Sequence, residues 1–251
     1  MTATYSANQH LTRQWDLIPL TALGQPITII GAGAIGGATA LTLAKMGFKD
    51  ITVYDFDKIE VENMNCQFYR FSDIGKFKVE ALKEIIIDFT GVEITANVER
   101  YETGMFNGIL ISAVDSMEVR RLIWENHKEF SVGTKLIIDP RMGAEDAMCY
   151  AMSPMEKKDI DSYEKTLYSD GDAVQERCTA KATMYTALAL SAHVAKVVKD
   201  YLCNDHRYAR NMQWNIGQNT QKCWWNKQTP TDEAMKAQGY LTLDAQENQN
   251  V

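Results

Sequence analysis

The sequence predicts an α/β fold whose doubly wound, mainly parallel sheet carries a C-terminal antiparallel hairpin extension. Three observations carry this expectation. Short apolar runs alternate with helical segments from residue 27 to residue 140, the pattern of strands joined by crossover helices. The first apolar run passes through a glycine-rich turn directly into a helix, the arrangement of a nucleotide-binding, Rossmann-like unit. Late in the chain, N-M-Q-W-N-I and Q-K-C-W-W-N flank G-Q-N-T and read as a hairpin.

The elements follow in order. Residues up to Gln14 are polar and read as an arm or a short helix. I-T-I-I over 27–30 is a buried strand, followed by the glycine turn and a helix through Ala44, with Gly47 placed where that helix should stop. I-T-V-Y-D-F-D over 51–57 is a second strand. Residues 78–89 have helical spacing and residues 92–99 alternate as a strand does. G-I-L-I-S-A-V-D over 108–115 is a short apolar run that ends in an acid, as a central parallel strand would. Residues 116–130 form a helix capped by Ser116, and K-L-I-I-D-P over 135–140 is a buried strand stopped by Pro140. Residues 144–152 fit another strand. Residues 154–177 are charged and poorly periodic, so they are expected as a surface excursion. Residues 178–202 form a long helix, apolar over most of its surface, which suits burial or a subunit interface.

The 251 residues suit one nucleotide-binding domain over residues 1–225, arm included, and a polar tail over 226–251. The net charge of -7 argues against a nucleic-acid partner, which needs clustered Lys and Arg. The five cysteines are odd in number and contain no C-x-x-C, which speaks against a disulfide framework and a zinc site, and free thiols suit a reducing cytoplasm. No apolar run reaches the about 18 residues that a membrane span needs.

The chemistry begins at Gly31, Gly33 and Gly36. The first permits the tight turn, the second lets backbone approach a phosphate, and the third lets helix and strand pack closely. Ala34 and Ile35 open the helix, whose free N–H groups attract an anion. Asp55 ends the second strand about twenty residues further on, where an acid accepts hydrogen bonds from ribose hydroxyls. To this point an NAD-dependent oxidoreductase fits equally well.

The next residues shift the balance. Asp57 follows Asp55 in a D-x-D, then come Asn63 and Gln67 in N-M-N-C-Q, Lys78 in G-K-F-K, and Asp115 after the fourth strand. This ordered set, which covers most of residues 10 to 140, resembles the ThiF/MoeB/HesA family of ubiquitin-activating-enzyme-like adenylyltransferases. The resemblance implies ATP and Mg²⁺ as cofactors. It implies adenylation of a carboxylate, the C-terminus of a small ubiquitin-like or sulfur-carrier protein or of a peptide. Within it, Gly31, Gly33, Ala34, Ile35 and Gly36 cradle the nucleotide with Asp55, Asp57, Asn63 and Gln67. Lys78 contacts phosphate and Asp115 holds the metal. It also implies a homodimer, in which Arg13 of the upstream R-Q pair reaches the partner's site. Attack of a carboxylate on an α-phosphate gathers negative charge, which is why the site needs cations and a hard metal.

Two departures stand out. The family's arginine in N-x-x-R-Q falls on Cys66, which cannot make a guanidinium fork to phosphate. Arg70, in the same connection, is the candidate substitute. The paired C-x-x-C zinc ligands of many relatives are absent. Cys178, at the head of the long helix, is a candidate nucleophile because a helix N-terminus lowers a thiol's pKa. Three alternatives stay open: a relative that activates a small or RNA-borne carboxylate, a non-catalytic partner subunit, and an NAD-dependent oxidoreductase, which needs no Asn63–Lys78–Asp115 set.

Overall fold

The computed structural model of the chain describes residues 9–104, 106–129, 133–167, 182–204 and 206–225. Eight strands form one sheet in the order β3-β2-β1-β4-β5-β6-β7-β8. The parallel half comprises β1 (Ile27–Ile30), β2 (Ile51–Tyr54), β3 (Thr95–Asn97), β4 (Gly108–Ser112) and the start of β5 (Thr134–Gly143). The antiparallel half adds β6 (Asp146–Met152), β7 (Ala209–Asn215) and β8 (Thr220–Trp225). Every residue of β1 and of β4 is buried, which explains why both read as continuous apolar runs. From β1 the chain moves to β2 and β3 on one side, then crosses back to β4 on the other. The sheet therefore has its topological switch point between β1 and β4, where such folds open a crevice at the carboxyl ends of the strands.

Helices α1 (Ala34–Lys45), α2 (Lys78–Thr90), α3 (Met117–Glu129), α4 (Lys157–Glu164) and α5 (Met184–Cys203) cover the sheet. α1 packs against both α2 and α5, so its sequence is apolar nearly all round. Ser191 of α5 donates to the Ile35 carbonyl at 3.1 Å and so ties α5 to the first turn of α1.

Three expectations are corrected. Pro140 does not stop β5, which runs on to Gly143. Among the described residues only β6 pairs with β5 beyond Ile138, so no described strand takes up the other side there and a residue without an N–H is tolerated. The charged stretch after residue 154 is not wholly an excursion, because α4 forms within it and buries Asp159 and Tyr163. Asp159 accepts from the Ser153 N–H at 2.8 Å and from Tyr208 and Arg210 of the distant hairpin. The long apolar helix begins at Met184, because Ala182 bridges to Ala144 and Thr183 is the extended N-cap. Its buried face lies in the core of the same chain. Two short 3-10 turns, Gln9–Gln14 and Leu20–Gly24, precede β1. The polar tail after residue 225 lies outside the described residues.

Candidate active site

The glycine turn connects β1 to α1 and is held from three directions. The Gly31 N–H donates to the Tyr54 carbonyl at 2.8 Å. The Ala32 N–H donates to Asp55 Oδ2 at 2.6 Å, and the Tyr69 hydroxyl donates to the Ala32 carbonyl at 2.6 Å. The N-cap of α1 is Gly33, and no side chain among the described residues caps the helix, so its first N–H groups keep their donor capacity. Asp55 is buried, and burial pushes its carboxyl up; the N–H groups of Ala32 and Asp57 and the charge of Lys78 oppose this. Each of its oxygens accepts one backbone N–H and retains lone pairs for further donors.

Asp57 joins this turn to α2. Its N–H donates to Asp55 Oδ1 at 2.8 Å, its carbonyl accepts from the Lys78 N–H at 2.9 Å, and its carboxylate pairs with Lys78 Nζ at 2.8 Å. Lys78 is buried while the Asp57 side chain is half exposed. The D-x-D therefore shapes the loop and also holds the ammonium at the cleft. Asn63 accepts the Glu60 N–H at 3.0 Å in a capping box, and its carbonyl accepts the Gln67 N–H at 3.0 Å. Gln67 Oε1 is buried without a hydrogen-bond partner among the described residues, an unmet acceptor that a ligand donor would satisfy. Cys66 is buried beside them, and burial pushes its thiol up, with Lys78 opposing. A raised thiol is the reverse of what a nucleophile needs.

Asp115 lies between β4 and α3. It is exposed, and among the described residues its carboxylate makes no hydrogen bond or ion pair. The cap of α3 is Ser116, whose hydroxyl accepts the Val119 N–H at 3.3 Å. Asp115 is thus free of the capping role.

Gly31, Gly33, Asp55, Lys78, Gln67 and Asp115 line a single cleft of about 1970 Å³, together with Ala34, Ile35, Asp57, Asn63 and Cys66. Small-molecule sites span about 300–1,000 Å³, so the cleft has room for a nucleotide and a second reactant. Its far end is walled by β6 and β7, with Ala147, Gln213 and Trp214, and by Lys222 of β8. Gly36 lies beneath the turn, outside the lining. Arg13 is exposed and outside the lining as well. Arg70 is also outside it: its guanidinium pairs with Asp88 at 3.1 Å and Asp73 at 3.7 Å. Cys178 lies outside the described residues.

Arg120 and Arg141 line the cleft but were missed by the sequence reading. Both are buried and both pair with Asp139, itself fully buried. A signal for Arg120 existed. It shares the spacing of Met117, Ile123, Trp124 and His127, the buried face of α3, and a charge on an apolar face requires a buried partner.

The ThiF family model matches residues 22–231. An Arabidopsis thaliana protein named NEDD8-activating enzyme E1 catalytic subunit is 39% identical over 104 residues, which cover 39% of this chain and 23% of that protein. A Drosophila mojavensis protein named ubiquitin-like modifier-activating enzyme 5 is 29% identical over 116 residues, 39% of this chain and 29% of its own length. The matched region thus spans less than a third of these relatives. In fold, the chain is similar to E. coli MccB crystallised with ATP, with a TM-score of 0.70 and 15% identity over 91% of this chain and 74% of that one. It is also similar to PaaA, with a TM-score of 0.68 and 16% identity over 89% and 76%. The sheet order, the cleft at its switch point and a family model that spans most of the chain agree: the protein belongs to the ThiF family.

Proposed function

We propose that the protein adenylates a carboxylate with ATP, the carboxylate being the C-terminus of a small ubiquitin-like protein or a peptide. The observation that carries this reading is the meeting in one cleft of a glycine turn, a buried lysine and a carboxylate that has no partner among the described residues. Hydride transfer needs neither Lys78 nor Asp115. The unmet Gln67 oxygen and the open space at Gly33 fit a nucleotide. The size of the cleft leaves room for a polypeptide end along β6 and β7. In this reading Asp55 accepts ribose hydroxyls and the uncapped turn of α1 faces phosphate. Lys78 exchanges Asp57 for phosphate oxygens. Asp115 would hold Mg²⁺, whose charge offsets that of the phosphates. The substrate carboxylate attacks the α-phosphate and pyrophosphate leaves. Arg13 would serve a second copy in a homodimer, and an ATP-dependent reaction with free thiols suits the cytoplasm. Cys178 remains a candidate acceptor of the activated acyl group.

The competing reading is a non-catalytic partner subunit, favoured by Cys66 in the place of the family's arginine. A thermal-shift panel of ATP·Mg²⁺, AMP and NAD, followed by ATP–pyrophosphate exchange with candidate acceptors, tests both. Stabilisation by ATP together with exchange supports the enzyme. Stabilisation by NAD alone, or ATP binding without exchange across acceptors, would overturn it. The geometry also bears on Arg70. The Arg70–Asp88 pair is exposed and so worth about 0–1 kcal/mol, and buried Asp73 keeps a pair with Lys76 at 3.1 Å, so Arg70→Ala is expected to cost about 1 kcal/mol or less and to leave exchange within about threefold. A loss of tenfold or more would make Arg70 a phosphate contact that swings in from its carboxylates.

A further inference from the structure

Among the described residues Asp115 has no side-chain partner, so its carboxylate is aimed by the backbone beneath it. That backbone is the turn Ala113–Ser116 between β4 and α3. One end is fixed by the Ala113 N–H, which donates to the Ile30 carbonyl at 2.8 Å. The other end is fixed by the Ser116 cap and by the Arg120 N–H donating to the Ser116 carbonyl at 3.1 Å. Between them lies the Val114–Asp115 peptide, whose carbonyl accepts from Arg120 Nη2. The same guanidinium donates through Nε to Asp139 Oδ1 at 2.9 Å.

Asp139 is a fixed reference point. Its Oδ2 accepts from Arg141 Nε at 2.9 Å, from Arg141 Nη2 at 2.7 Å and from the Tyr163 hydroxyl at 2.9 Å. Arg141 Nη1 also donates to the Thr166 carbonyl at 3.0 Å, which ties the group to the end of α4. We propose that Arg120 is the positioning residue for Asp115: its planar fork clamps the Val114 carbonyl to buried Asp139 and so sets the direction in which the Asp115 carboxylate enters the cleft. The inference rests on the reading of Asp115 as the metal ligand.

The fork is suited to this because its donors lie at a fixed angle, which a lysine ammonium does not provide. Mg²⁺ is suited to report on it, because it demands near-ideal octahedral geometry. Binding of ATP without metal makes no such demand on Asp115. The burial of Arg120 and Asp139 alone would be a stability device. The bond to Val114, one residue before Asp115, turns it into a device for the site. Groups that orient metal ligands from behind typically contribute about 10–100-fold in metal affinity.

The test compares ATP affinity by calorimetry in EDTA and in saturating Mg²⁺, for the wild type, Arg120→Gln, Arg120→Lys, Arg141→Lys and Asp115→Asn. Arg120→Gln should fold, because Arg141 keeps the Asp139 carboxylate paired. In EDTA all five are expected to bind ATP within about threefold. The Mg²⁺-dependent gain seen in the wild type should fall about 10-fold or more in Asp115→Asn and Arg120→Gln. It should return in part in Arg120→Lys, which keeps the charge and serves also as the readout should Arg120→Gln not fold. Arg141→Lys should melt at a lower temperature yet keep the gain. A full Mg²⁺ gain in Arg120→Gln beside a lost gain in Asp115→Asn would overturn the clamp alone. An equal loss in Arg141→Lys would show general rigidity in its place. A full gain in Asp115→Asn would remove the assignment of Asp115, and the clamp with it.

Discussion

Replacing Asp115 with alanine is expected to slow ATP–pyrophosphate exchange by about 10²–10³-fold, the usual effect of removing one stabiliser of developing charge. Folding should be unaffected. Asp115 is exposed and makes no hydrogen bond or ion pair among the described residues, and Ser116 caps α3. Surface substitutions of this kind stay within about ±0.5 kcal/mol. ATP binding should weaken only in part, because the glycine turn, Asp55 and Lys78 remain. The expected signature is a large fall in exchange rate at saturating ATP, measured with a small protein or peptide acceptor that supports exchange in the wild type. Lys78→Ala should differ. It removes a buried cation and also leaves Asp57 without its pair, so ATP affinity and exchange should fall together. An Asp115→Ala protein that exchanges within a few-fold of the wild type would leave the cleft without its metal ligand.

What the sequence conveyed about this site depended on the reach of each interaction along the chain. The glycine turn, the D-x-D and the acid after β4 sit at strand ends, where local backbone geometry dictates the residue type. Asn63 was named from the family motif alone, and its capping bond to the Glu60 N–H, three residues back, became visible only in the structure. The ordered spacing of these residues carried the family as well as the fold. Longer-range features were less legible. α4 looked like an excursion because its burial depends on Tyr208 and Arg210, 49 and 51 residues beyond Asp159. Arg120 was not singled out, because its partner is 19 residues away on β5. Asp139 itself sat at the end of an apolar run, L-I-I-D-P, with Arg141 two residues on as its nearest counter-charge, and an acid in such a run signals a buried ion pair. Arg70 was weighed as a replacement for the arginine missing at Cys66 from its position in the connection alone. Its side chain instead follows the nearer carboxylates, Asp73 and Asp88, which spacing could not reveal.

Gly33→Val and Gly36→Ala are expected to fail in opposite ways, and the contrast separates binding from folding. A Cβ at Gly33 meets nothing within 4 Å, and Gly33 has an extended backbone with φ -72° and lines the cleft. Valine there costs about 1 kcal/mol as a poor N-cap, which lowers Tm by about 2–4 °C in a chain of this size. Its branched side chain fills the space in which backbone should meet phosphate. At a hundredfold excess over Kd, ATP stabilises a protein by about 2.7 kcal/mol, and the Gly33→Val protein should show none of that gain. Gly36 is the reverse case. Its Cβ would stand 1.9 Å from the Gly31 carbonyl oxygen and 3.2 Å from the Ala113 side chain. The first contact is with backbone, so α1 must move away from β1. Gly36→Ala is therefore expected to lose about 3 kcal/mol or more, the upper range for overpacking, with Tm depressed before any ligand is added. Melting curves with and without ATP·Mg²⁺ read both effects. A Gly33→Val protein still stabilised by ATP would place the nucleotide elsewhere than at this turn. A Gly36→Ala protein with wild-type Tm would mean that α1 and β1 are not packed as closely as the turn requires.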